Sequence, residues 1–497
     1  MNEPVLYPSY RRLGLILGGL IFAMLLLLPA PAGMSDTAWK TTALITLMAI
    51  WWISEAVPVF VTALLPIVLL PVLNIAPIKD ATAPYANPII FLFMGGFFIA
   101  LAVESHGLHR RIALWLLSKI SPEPNLIIGG FMLVTGFISM WVSNSATTLM
   151  MLPIGQSVVE LVLGEEKNET TRRNFSAAMM LGIAFSASIG GMGTLVGTPP
   201  NALFVGFMNE TYKVQITFAQ WAMIGVPLVF LALPLSWLLM TRFVFSFPTM
   251  QLRSSQHLIQ SQLASLGNMS KGEKLVSIVF VITALLWMFE PLLSSWFPNI
   301  KLSDAGIAIF GALVLFLLPV DITRGEFALS LEQAKKLPFE VLILFGGGIS
   351  LAQAIQKSGL STFVSQSLSG LSDVSLVFVV LMVALIAIFA TELIGNTALA
   401  ATLLPILAPV AVAIGENPYL LLLPATLGVS CAFMLPVATP PNAIVYASGF
   451  ITTTQMARAG FWLNVLFTVL ITLLVFMLVP LVFDVQFGAL PDWAKTK

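Results

Sequence analysis

Two polar triplets interrupt apolar stretches of this chain: Ser143-Asn144-Ser145 and Gly395-Asn396-Thr397. Their hydroxyl and amide groups both donate and accept hydrogen bonds. Where one helix ends and another begins at such a triplet, the beginning helix offers unpaired N–H groups and a partial positive charge to an anion. The ending helix offers carbonyls, which suit Na⁺. Asn144 and Asn396 are 252 residues apart, and the same offset relates Gly95-Gly96 to Gly347-Gly348, Gly107-Leu108 to Gly359-Leu360, Ser139 to Thr391 and Pro153 to Pro405. One isolated triplet would read as glue between helices. A matched pair inside a duplicated chain reads as the binding device of a secondary transporter.

A second matched pair follows: Gly197-Thr198-Pro199-Pro200-Asn201 and Ala438-Thr439-Pro440-Pro441-Asn442. Two adjacent prolines remove two backbone donors and forbid a continuous helix. No Lys or Arg lies in any of the four motifs. An anion bound there must be neutralised by helix ends, polar side chains and co-bound cations, which predicts cation coupling. Glu55 and Glu392 are the acids that fall in apolar surroundings. Each reads either as a proton relay or as a cap on backbone amides at a tight turn. Met140 stands where Glu392 has its counterpart, so Glu392 is not a symmetric ion ligand. His106, His109 and His257 read as solvated loop histidines. HExxH, paired CxxC and GxSxG motifs are missing from the sequence, which argues against an enzyme.

The elements that position these motifs are membrane helices. Of 497 residues, 58% are hydrophobic and 9% charged, with mean hydropathy +0.96. The apolar runs are continuous rather than alternating, which excludes a β-barrel and leaves an all-α polytopic membrane protein. A net charge of zero makes no case for nucleic acid, and the single Cys431 allows no intramolecular disulfide. Some apolar runs are too short for a bilayer that needs about 20 residues. Those at 125–163 and 373–414 each fold about a triplet and read as re-entrant hairpins. Broken helices follow at 175–208 and 419–449. The implied organisation is first-repeat scaffold 1–120, first transport part 121–241, linker 242–274, second scaffold 275–360, second transport part 361–483 and tail 484–497.

Charge supplies an orientation. With a cytoplasmic N-terminus and both hairpins returning to their own side, sixteen of the 23 basic residues are cytoplasmic, as cytoplasmic loops require. Among them are Arg11, Arg110, Arg111, Lys167, Arg242 and Lys336. Lys40, Lys79, Lys213, Lys301, Lys357, Lys495 and Lys497 are left outside. The repeats are then inverted, and the two asparagine tips can meet near the midplane. The polar stretch 242–274 reads as a cytoplasmic linker with room for an interfacial helix.

These residues resemble the divalent anion/Na⁺ symporter family of di- and tricarboxylate transporters. The likeness covers nearly the whole chain. It is carried by Trp52-Ile53-Ser54-Glu55-Ala56-Val57-Pro58, Pro88 to Gly96, Ser139 to Asn144, Ser186 to Gly191, and both Pro-Pro-Asn elements. The resemblance implies a homodimer, with a scaffold and an elevator-type transport domain in each subunit. Matched position by position, Ser139, Ser143, Asn144 and Gly197 form a first sodium site. Thr391, Ile394, Asn396 and Ala438 form a second, with Gly197, Ile394 and Ala438 acting through carbonyls. Asn144, Ser145, Thr198, Asn396, Thr397 and Thr439 match the carboxylate contacts, and Pro199 and Pro440 complete the substrate set. The family triplet is usually Ser-Asn-Thr, so Ser145 and Gly395 are departures. The implied activity is import of C4-dicarboxylates such as succinate, malate or fumarate across the plasma membrane with more than one Na⁺. The alternatives are a sodium-independent di- or tricarboxylate exchanger (citrate, tartrate) and a sulfate carrier.

Overall fold

Asn144 and Asn396 each open a helix, and the chain is arranged around those two starts. The computed structural model describes residues 8–121, 123–166, 168–247, 253–367 and 374–495. Lys167, Lys497 and residues 248–252 of the expected linker lie outside them. The first half begins with α1 (Ser9–Leu27), α2 (Asp36–Ser54), the short α3 (Val59–Thr62), α4 (Leu65–Val72) and α5 (Ile78–Thr82), then α6 (Pro88–Ser105) and α7 (Leu108–Leu117). The first hairpin is α8 (Pro124–Ser139) and α9 (Asn144–Glu165), followed by α10 (Glu169–Gly191), α11 (Pro199–Tyr212) and α12 (Phe218–Leu238). The polar linker holds α13 (Arg253–Ser265).

The second half starts with α14 (Lys271–Trp296) and α15 (Asp304–Leu317), then a two-stranded turn, β1 (Pro319–Asp321) and β2 (Glu326–Phe327). It continues with α16 (Leu331–Ala334), α17 (Phe339–Lys357) and α18 (Leu360–Ser367). The second hairpin is α19 (Leu376–Ala390) and α20 (Asn396–Ala413). After it come α21 (Tyr419–Gly428), α22 (Pro440–Tyr446) and α23 (Thr453–Phe483). Among the described residues, nine helical segments are long and apolar enough to cross a membrane. Helix α15 stops at Leu317, because Pro319 and the β-turn end it.

Local chemistry sets the breaks. Ser143 caps α9 by accepting from the Ala146 N–H at 3.3 Å. Pro199-Pro200 and Pro440-Pro441 occupy the first helical positions of α11 and α22, where a missing N–H costs nothing. The first break is closed by backbone approach. A Cβ at Gly190 would stand 2.1 Å from the Gly136 carbonyl oxygen of α8, so only glycine lets α8 and α10 cross so closely.

The hairpins and the broken helices interlock. Helix α10 is almost wholly buried, packed on α8 and α9, and α22 from the other half joins them. Helix α11 packs on α20 and α21. Each broken helix thus sends its second segment to the other hairpin. From the foot of the first hairpin, α10 and α11 run to Tyr212, whose ring packs on Trp493 at 5.1 Å between centroids. Trp493 packs in turn on Tyr419 at 5.8 Å, at the foot of the second hairpin. The end of α11 therefore lies beside the start of α21. Peripheral α1 and α14 present exposed Leu13, Leu20, Ile278, Val281 and Leu285, the apolar faces a bilayer covers.

Two expectations are corrected. Glu55 is not a buried acid: it is the left-handed C-cap of α2 and pairs with Arg11, its side chain 45% exposed. His109 is not a solvated loop residue: it lies buried on α7, its Nδ1 3.3 Å from the Val103 carbonyl oxygen. His106 likewise sits with Nε2 2.9 Å from the Ala328 carbonyl oxygen of the β-turn. Both histidines fall next to helices that pack, and only His257 is exposed.

Candidate substrate and cation site

The two hairpin tips and the two helix breaks surround one cavity of about 690 Å³. All eight residues of the expected substrate set line it: Asn144, Ser145, Thr198, Pro199, Asn396, Thr397, Thr439 and Pro440. Ser143, Gly197 and Ala438 line it as well. Phe60 of α3 with Phe97 and Leu101 of α6 supply an apolar wall, and exposed Glu104, Lys336 and Glu340 stand among its lining. Sequence reasoning missed these three charges, since Glu104, Lys336 and Glu340 lie far in the chain from the triplets and the Pro-Pro breaks.

Helices α9, α11 and α20 all begin at this cavity. Their N-termini turn partial positive charge toward it. The prolines strip N–H donors from the start of α11, so direct backbone donation to an anion falls to α9 and α20. Thr198 makes no capping bond with its side chain, which leaves its hydroxyl to the cavity, whereas Thr439 accepts from the Asn442 N–H at 3.4 Å.

Behind the tips lie two oxygen clusters built alike. Ser139 Oγ is 2.7 Å from both Asn144 Oδ1 and the Ala187 carbonyl oxygen. Thr391 Oγ1 is 2.8 Å from Asn396 Oδ1, 2.7 Å from the Val429 carbonyl oxygen and 3.4 Å from that of Ile394. A hydroxyl carries one proton, so each cluster has more oxygens in reach than protons to share. A cation placed among them makes that crowding favourable. Ser139 and Thr391 are fully buried. Among the described residues no three His, Cys, Asp or Glu gather as metal ligands. Neutral hydroxyl, amide and carbonyl oxygens suit a hard monovalent ion better than a transition metal. Of the expected cation set, Ser139 with Asn144, and Thr391 with Ile394 and Asn396, are brought together. Ser143 spends its oxygen on the cap, while Gly197 and Ala438 stand on the cavity wall.

Two members of the matched motifs had been given no role of their own. Asn201 donates through Nδ2 to the carbonyls of Gly191 (3.1 Å) and Thr194 (2.7 Å). Asn442 does the same to Ala432 (3.1 Å) and Leu435 (3.0 Å). Each clasps the unwound segment before its own helix, and the repeated Asn after each Pro-Pro was the available signal. Glu392 is a cap: its carboxylate accepts from the N–H groups of Phe433 (2.8 Å), Met434 (2.9 Å) and Leu435 (3.2 Å), and from Asn464 Nδ2 (2.9 Å). That is the amide-capping role, at the break between α21 and α22.

A bundle of apolar helices, broken at matched places around a cavity of polar tips, defines a polytopic membrane transporter. Residues 10–483 match the model of the sodium:sulfate symporter transmembrane region, and the chain belongs to that family. It is 42% identical over 486 residues to the sodium-dependent dicarboxylate transporter SdcS of Staphylococcus saprophyticus, covering 97% of this chain and 93% of that one. It is 40% identical over 488 residues to SdcS of Staphylococcus aureus strain USA300, with the same coverage. In fold it is similar to Neisseria gonorrhoeae MtrF, with a TM-score of 0.57 at 15% identity over 95% of both chains. The Alcanivorax borkumensis YdaH transporter gives a TM-score of 0.50 at 14% identity over 96% of this chain and 97% of that one.

Proposed function

We propose that this protein imports C4-dicarboxylates (succinate, malate or fumarate) across the plasma membrane by symport with more than one Na⁺. The observation that carries the reading is the pair of oxygen clusters at Ser139–Asn144 and Thr391–Asn396. Each lies directly behind a tip that faces the cavity, so each asparagine can serve a cation and the carboxylate at once. Two cations behind the tips offset the charge of a dianion in a site whose motifs hold no Lys or Arg. The sodium-dependent dicarboxylate relatives support the same assignment. Substrate contacts fall to Asn144, Ser145, Thr198, Asn396, Thr397 and Thr439, with Pro199 and Pro440 shaping the wall.

The repeats are read as inverted: α11 ends beside the start of α21, which supports hairpins that enter the bundle from opposite ends. The moving unit is each hairpin with its broken helix. Helix α11 packs on scaffold helices α6 and α17, while α22 packs on α9 and α10. That one-sidedness fits a transport unit caught against one end of its travel, as an elevator requires. The positive-inside count supports a cytoplasmic N-terminus and a cytoplasmic opening for the cavity that Lys336 lines, and the family resemblance implies the homodimer.

Uptake of labelled succinate into proteoliposomes tests this reading, with an inward Na⁺ gradient and with choline in place of sodium. Uptake only with Na⁺ is expected. Equal uptake in choline that needs carboxylate preloaded inside would make the protein an exchanger. Sulfate uptake with no succinate uptake would make it a sulfate carrier.

A further inference from the structure

Glu210 occupies the last turn of α11, where the helix dipole disfavours an anion. Its side chain is nevertheless only 17% exposed. Donors from elsewhere hold it there. Asn87, the N-cap of α6, donates Nδ2 to Glu210 Oε2 at 3.1 Å. Gln353 of α17 donates Nε2 to Glu210 Oε1. Lys213 reaches the same oxygen at 3.2 Å from an exposed position. Three residues further along α17, Gln356 donates to the Thr211 carbonyl at 2.7 Å. Two glutamines on one face of α17 and one asparagine at the start of α6 therefore grip the end of α11. The second half has no equivalent: 241 residues on from Glu210 stands Ile451, beyond the end of α22.

We propose that Glu210 is a latch residue. Its carboxylate gathers the Asn87 and Gln353 amides, and so biases the transporter toward the state in which the end of α11 is closed against α6 and α17. The inference rests on the reading of the hairpins and broken helices as a moving unit. For that unit to travel, α11 must leave α17, and the carboxylate must exchange both amides for water. Glu210 touches no part of the 690 Å³ cavity, so its effect is on the balance of states and not on substrate contact.

Ile355 of α17 reports on the latch. It is 5% exposed and shares a small cavity of about 40 Å³ with Phe207, Thr211 and Tyr212 of α11. The single native cysteine, Cys431, is replaced (Cys431→Ala), and Ile355→Cys is introduced in the full-length protein in proteoliposomes. Labelling by a membrane-impermeant maleimide is timed with and without Na⁺ and succinate. Adding Glu210→Ala is expected to raise the labelling rate about tenfold, equivalent to about 1.4 kcal/mol. Gln353→Glu, which sets two carboxylates together, is expected to raise it too, and Gln353→Lys to lower it. A merely structural contact would not give opposite signs at one position. A rate unchanged by Glu210→Ala, in a protein whose Ile355→Cys rate still responds to Na⁺ and succinate, overturns the latch and leaves the moving unit standing. An Ile355→Cys site that resists labelling in every condition and variant overturns the moving unit itself.

Discussion

The two halves reach the same chemistry by different supports. In the first, Ser143 caps α9, and the break after α10 is held by close backbone packing, with Gly190 against Gly136. In the second, α20 starts at Gly395 with no side-chain cap, and the break after α21 hangs on the Glu392 carboxylate, which collects the N–H groups of Phe433, Met434 and Leu435. Yet the hydroxyl–asparagine pair is the same, at 2.7 Å in one half and 2.8 Å in the other. So is the clasp of Asn201 or Asn442 on its unwound segment. What repeats is the hydroxyl–asparagine pair proposed to meet ligand, together with its clasp; what differs is the outer support of each tip and break. A buried carboxylate satisfies the N–H groups of one unwound segment, whereas in the other the Met192 and Gly193 N–H groups turn back to the Ile189 and Gly190 carbonyls, so buried backbone donors are paired in both.

Substitutions at the shared parts should have the largest effect and be equal in the two halves. Asn144→Ala and Asn396→Ala each remove an oxygen from a cation cluster and a group from the cavity wall. Each should cut succinate uptake by about a hundredfold or more, taking roughly 3 kcal/mol for a lost bond to a charged partner. Size-exclusion profiles in detergent should stay unchanged. Normal uptake in either variant would remove that tip from the site.

Next come the supports, which should separate the halves. Glu392→Met gives the second half the residue that Met140 supplies in the first. It strands three N–H groups, each costing about 1–3 kcal/mol. Thermal stability in detergent should fall sharply, whereas Met140→Leu, a volume-conserving change, should cost less than about 1.5 kcal/mol. Equal losses would show that the glycine-packed break needs position 140 as much as the other break needs its acid.

The caps give the smallest effects. A Cβ at Gly395 meets open space, so Gly395→Ser should fold normally. Its hydroxyl can take the Ala398 N–H, as Ser143 takes that of Ala146, and withdraw a donor from the carboxylate. The apparent succinate affinity should shift by about fivefold, the scale of roughly 1 kcal/mol per cap. Ser143→Ala, measured in the same uptake assay, should move affinity the opposite way. No change in either would show that neither cap competes with ligand.

Much of this was legible in the chain because duplication marks it. The triplets, the Pro-Pro breaks and the Ser139/Thr391 counterparts all recur at fixed offsets, and every expected substrate residue lines the one cavity. What was not legible depends on contacts between distant segments. Asn464 meets Glu392 across 72 residues and Gln353 meets Glu210 across 143, and nothing in the sequence marks Asn464, Gln353 or Glu210. His109 was misread for a related reason. A polar residue near charged Arg110 and Arg111 looks like a loop, but α7 turns it inward against Val103. Glu55 erred the other way: its apolar neighbours hid the pairing with Arg11.

Both halves are proposed to hold a coupling cation behind their tips. The most direct measurement is a Na⁺ titration of succinate uptake in proteoliposomes for the wild type, Ser139→Ala and Thr391→Val. The expected result is sigmoidal activation with a Hill coefficient above one in the wild type, and in each variant a weakened Na⁺ response with the coefficient lowered toward one. A hyperbolic Na⁺ response in the wild type, unchanged by both substitutions, would contradict it.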